Sequence, residues 1–205
     1  MMFWAIYFAA FFASLAMMVR EGLWSNTISL ANILISGLVA FAFYSPLAIY
    51  LDEMLDGQYT YLLDFVCIWL LFVVTMLVCR AATGMASGTR MRFKYPIDSV
   101  GGPLVALVGA WAMAAFVMAT LHTAPMPKEA FSGKLIHSDV EIDSASSLTA
   151  PDLGWLRFID RVTRADAFGH AGRDTFSPAA FVKIYADHRG KFGQANASWI
   201  IVRRG

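Results

Sequence analysis

Residues 100–121 read VGGPLVALVGAWAMAAFVMATL, a stretch with no charged side chain. About 20 apolar residues suffice for a helix to cross a hydrocarbon core of about 30 Å. Gly102, Ala106, Ala110 and Ala114 recur at every fourth place and so share one helix face. A face of small residues lets another backbone approach closely, and that is how helices associate where lipid supplies no hydrophobic drive. Gly84 and Gly88 repeat the spacing earlier in the chain. The seam has two readings, packing inside one bundle or an interface between copies.

Working outward, three more apolar runs precede this one. Residues 1–19 carry no charge, residues 24–51 are interrupted by Pro46, and residues 61–79 hold one charge, Asp64. The whole chain has 205 residues, of which 58% are hydrophobic and 15% charged, with a mean hydropathy of +0.57. A soluble domain has about 45–50% apolar and about 25% charged residues. One soluble core of this size cannot hide that excess. The composition also excludes a disordered chain and a disulfide scaffold, and the net charge of +1 gives no pull on nucleic acid. We therefore expect an all-α membrane protein with four transmembrane helices, at about 2–19, 24–50, 61–79 and 100–121. The first run has no basic residue before it, unlike a signal peptide, and Arg20 follows it.

The remaining residues are ordinary by comparison. Residues 122–205 contain 11 of the 16 Lys and Arg, 9 of the 15 Asp and Glu, and all four His. Pro125 and Pro127 mark the boundary, since proline interrupts a helix leaving the membrane. The expected organisation is a membrane domain over 1–121 and a polar tail over 122–205. Basic residues concentrate in the first and third loops, as Arg20, then Arg80, Arg90, Arg92 and Lys94. The second loop, 52–60, has only Asp52, Glu53 and Asp56. Basic loops stay in the cytoplasm. Both termini, and the whole tail, are thereby expected outside it.

Polar groups within spans are costly unless paired. Asn32 and Ser36 share a face of the second span, Asp64 opens the third and Asp98 opens the fourth. The two carboxylates fall near helix N-termini at opposite membrane faces, as caps or as parts of an ion relay. Pro46 is expected to kink or end the second helix, leaving 47–55 along the interface with Asp52 and Glu53 facing water. Cys67 and Cys79 lie about 18 Å apart along a helix axis and cannot pair.

These residues carry a resemblance. The loop Arg20-Glu-Gly22-Leu23, with Ser29-Leu30 beyond it, and the run Asp98-Ser-Val-Gly-Gly102 with Ala106, resemble the colicin V production protein (CvpA) family. The resemblance covers roughly residues 15–121. Asn26 stands where the family has an acidic residue, Ser25 where it has a basic one, and Gly109-Ala110 where it often has Arg-Gly. The family implies a bacterial inner-membrane protein with four spans, linked to toxin biosynthesis and to the cell envelope, with no catalytic residue to carry over.

The tail reads as small and mixed, mainly helical. Residues 134–142 suit a short strand, 151–167 a helix, and 198–202 a last strand. Ser177 and Pro178 start a helix, with Phe181, Ile184, Tyr185 and His188 as its apolar stripe and Gly190 just past its end. At 84 residues with much loop, the tail needs the bundle or a partner to hold it. His122, His137, His170 and His188 show no ligand spacing. We find no serine elbow and no phosphate loop, and Asn196-Ala-Ser198 is a weak glycosylation signal. The expectation is a non-catalytic membrane scaffold without catalytic residue, cofactor or metal. The alternatives are a channel or transporter subunit, or an accessory subunit of a larger complex. The expected partners are the lipid bilayer and either a second copy or another membrane protein.

Overall fold

The computed structural model describes residues 2–57, 59–86, 97–127, 130–138, 141–142, 145–164 and 176–194. The chain is an all-α membrane protein. Four apolar helices come first: α1 (Met2–Met18), α2 (Leu23–Met54), α3 (Thr60–Ala86) and α4 (Ile97–Thr120). The last three are long and apolar enough to cross a membrane, while α1 is shorter, at 17 residues. In the tail, two helical turns, Leu121–Thr123 and Ala130–Gly133, lead to α5 (Pro151–Arg164) and α6 (Pro178–Gln194).

The membrane helices are apolar all round, so lipid-facing positions stay hydrophobic. Phe12, Leu70, Leu77, Val78 and Leu104 are all exposed on the isolated chain. What distinguishes the inner faces is size. Ala106, Ala110, Ala112, Ala114, Ala115 and Ala119 of α4 are essentially fully buried. The seam is thus used inside the chain, with α1 and α2 packed along α4. At Gly84 a side chain would meet nothing within 4 Å among the described residues. It faces a cavity instead of a helix, and Gly88 lies outside the described residues.

One aromatic cluster ties four helices together. Phe116 of α4 is fully buried and stacks on Phe72 of α3, with ring centroids 4.3 Å apart. Phe41 of α2 meets it edge-on at 6.0 Å, Trp69 of α3 at 5.6 Å and Trp155 of α5 at 5.4 Å. Such pairs contribute about 0.5–1.5 kcal/mol each beyond their area. Trp155 reaches this position because α2 offers Gly37 there. A Cβ at Gly37 would fall 2.2 Å from the Trp155 ring.

The tail therefore rests on the bundle. Helix α5 buries Leu153, Trp155, Leu156 and Ile159 and leaves Arg161 and Arg164 exposed. In α6, Phe181, Val182, Tyr185 and Arg189 are buried, while Ile184 is exposed. The inward face is rotated from the expected stripe because Arg189 turns inward to two backbone carbonyls. Ser177 caps α6 through the Ala180 N–H at 3.3 Å, and the helix runs past Gly190 to Gln194.

Three other expectations are corrected. Helix α2 does not end at Pro46, since Leu47, Ala48 and Leu51 find partners in Leu63 and Cys67. Asp52 is buried and does not face water, because the Thr60 hydroxyl donates to its Oδ1 at 2.7 Å. The described part of 134–142 forms turns and a short helical stretch instead of a strand, held by Arg157 donating to the carbonyls of Ile142 and Ala145. Residues 198–202 lie outside the described residues. Cys67 and Cys79 are unpaired.

Gly37→Leu should displace Trp155 and cost about 1–3 kcal/mol, the usual scale of overpacking. Thermal melting in detergent with limited proteolysis of the tail checks this. An unchanged melt and cleavage pattern would mean that α5 does not depend on this contact.

Candidate functional site

The Arg20-Glu-Gly22-Leu23 turn and the start of α4 come together at the loop end of the bundle. The N-terminus of α2 has no cap from its own chain neighbours. Its first amide, Leu23 N–H, donates instead to Asp98 Oδ1 of α4 at 2.7 Å. A carboxylate there meets both an unused amide and the positive end of a helix. The contact needs room, and both partners supply it with glycine. A Cβ on Gly22 would lie 3.0 Å from Asp98 Oδ1, and one on Gly102 would lie 3.3 Å from the Glu21 carbonyl.

Asn26, fully buried, closes the junction from α2. Its Nδ2 donates to the Gly102 carbonyl at 2.9 Å and to the Glu21 carbonyl at 3.2 Å. An ionised carboxylate has no hydrogen to donate, so the amide at this position suits two facing carbonyls.

Beside the junction lies a cavity of about 570 Å³. Arg20, Arg80, Asp98 and Gly84 line it, together with Asn32 and Thr83. Asn32 Nδ2 donates to Thr83 Oγ1 at 3.3 Å. Ser36 is fully buried, 3.9 Å from the Met76 sulfur.

At the opposite end, the tail supplies the partners. The Tyr185 hydroxyl donates to Asp64 Oδ2 at 3.0 Å and lies 3.2 Å from the Tyr44 hydroxyl. Nearby, His122 Nε2 is 2.9 Å and His137 Nε2 is 2.8 Å from the same oxygen, Oδ2 of Asp152. Burial opposes ionisation of Asp152, but the hydrogen bonds from His122 and His137 outweigh it and hold the carboxyl well below the usual range. Among the described residues, Asp152 Oδ1 and His122 Nδ1 are buried without a hydrogen-bond partner. Arg189 donates to the carbonyls of His122 at 3.2 Å and Leu135 at 3.1 Å. Sequence spacing does not reveal this group, since its members stand 15 and 30 residues apart.

A family model for the colicin V production protein matches residues 4–140, which includes the whole Gly22–Asp98–Gly102 junction. The chain belongs to the colicin V production protein family. No curated protein and no solved structure matches it. The match extends past the four apolar helices to take in His122 and His137. Among the residues singled out from sequence, Arg20, Gly22, Leu23, Asp98 and Gly102 meet in one place, and Asn32 joins them on the cavity wall. Asp64 lies apart, at the tail's docking point.

Asp98→Ala should destabilise the chain by about 1 kcal/mol, the usual loss for a helix cap. Asn26→Asp should cost about 1–3 kcal/mol by leaving two carbonyls without a donor. Both are read as shifts in detergent melting temperature. A neutral Asn26→Asp would show that the junction does not rely on donation from Asn26.

Proposed function

We propose that this colicin V production family protein is a non-catalytic scaffold or assembly factor of the bacterial inner membrane, serving toxin export or envelope maintenance. The observation that carries this reading is the use made of its carboxylates. Asp98 caps α2, Asp52 takes the Thr60 hydroxyl, and Asp64 takes the Tyr185 hydroxyl. Each acts as a fastener between segments and so serves architecture. Arg20 and Arg80 both border the cavity, which fits a cytoplasmic position for that end. The tail then lies on the opposite side, in the periplasm.

Two measurements test this. A reporter fused after Gly205 should be active only outside the cytoplasm, and activity confined to the cytoplasm would reverse the topology. Purification in mild detergent with mass spectrometry should give a monomer or a homo-oligomer. A stable stoichiometric partner would make the protein an accessory subunit instead.

The cavity beside Asn32 favours one second reading, a small channel or transporter subunit. It requires ion flux in liposomes that Asn32→Leu abolishes. Well-folded protein without flux would end that reading.

A further inference from the structure

We propose that His122, His137 and Asp152 form a binding site for a divalent transition-metal ion of the zinc class, and that the ion locks the tail onto the adjoining end of α4. Three segments each deliver one donor. His122 follows α4 in a helical turn, His137 comes from the stretch after Gly133, and Asp152 sits in the first turn of α5. Their ligating atoms all lie within 4.8 Å of one another.

Zinc bonds to imidazole nitrogen and carboxylate oxygen run about 2.0–2.2 Å, so tetrahedral donors stand about 3.3 Å apart. Each imidazole nitrogen here is 2.8 or 2.9 Å from the shared oxygen. To seat an ion the shared oxygen draws back by about half an ångström, and the two imidazole nitrogens, within 4.8 Å of each other, settle at that same spacing. Two imidazoles and a carboxylate are also a donor set that zinc uses where it keeps a further position open.

As a hydrogen-bond cluster the group is incomplete. Both imidazoles aim at one oxygen, while Asp152 Oδ1 is buried and has no partner among the described residues. An unmet buried acceptor is costly and asks for an explanation. A cation answers it, because Oδ1 then offers a second oxygen for bidentate ligation. Each imidazole binds through its Nε2 lone pair with the ring proton on Nδ1, which at His122 is itself buried without a partner among the described residues.

The surroundings agree. Among the described residues, the ion pairs of Asp152 are with these two histidines alone. The Arg189 hydrogen bonds go to the carbonyls of His122 and Leu135, which fixes the chain carrying two of the ligands and leaves the carboxylate to the ion. His137 is 11% exposed, so the cluster is open to solvent from its side, while Asp152 is closed off.

The test uses the full chain in detergent, its affinity tag removed, stripped with chelator and titrated with Co²⁺. The expected result is one equivalent per chain with a visible cobalt absorption that Zn²⁺ displaces, and a higher melting temperature with metal. His137→Ala and Asp152→Asn should each weaken binding by at least about tenfold, while His188→Ala retains it. Circular dichroism confirms folding, and if Asp152→Asn misfolds, His137→Ala at a partly exposed position decides. Absent saturable binding, or binding unchanged in His137→Ala, overturns the site. Either result leaves the scaffold reading to its own measurement of partners.

Discussion

A helix that begins inside a membrane protein has amides that no residue of its own turn can satisfy. Here the first amide of α2 is met by Asp98 from another helix, and everything around that bond follows from its shortness. Gly22 and Gly102 are small because the loop backbone lies directly on α4. Asn26 is an amide because two carbonyls are forced to face the same spot. The contact fixes the depth at which α2 meets α4, and hence which residues higher up stand opposite one another. The alanines of α4 and the ring of Phe116 find their neighbours only in that register.

The tail uses different physics at the other end. It is held by a ring pressed into a glycine gap, by a tyrosine donating to a carboxylate, and by a carboxylate shared between two histidines. These are polar and aromatic pins on an apolar bundle. The tyrosine gives Asp64, a carboxylate within an apolar helix, a defined partner, so a costly polar group there is not left bare. The amphipathic α5 joins the two styles, with Leu153 and Leu156 buried and Arg161 and Arg164 exposed.

The apolar helices were readable because periodicity and length report directly on a bilayer. The junction was readable as a motif, Arg20 to Leu23 and Asp98 to Gly102, although the sequence did not say what Asn26 would donate to. Helix α2 continues past Pro46 because the residues beyond it have packing partners in α3, which outweigh one lost backbone bond. The stripe of α6 misled because Arg189, a cation, is buried by carbonyls that no local pattern announces. The histidine cluster was invisible for the same reason. Its members are chosen by the docking of α5, and that docking depends on Gly37, more than a hundred positions away from its partner ring.

That last separation has a consequence for how the chain matures. Tyr185 meets Tyr44 across 141 residues and Asp64 across 121. Contacts so distant in sequence close late, because the intervening chain must be ordered first. The apolar helices can be inserted one after another as they leave the ribosome. The gap at Gly37, the carboxylate of Asp64 and the aromatic face of Phe116 then wait for a segment not yet synthesised. The newborn bundle is an unfinished object with an open socket, and the C-terminal segment is its own assembly check.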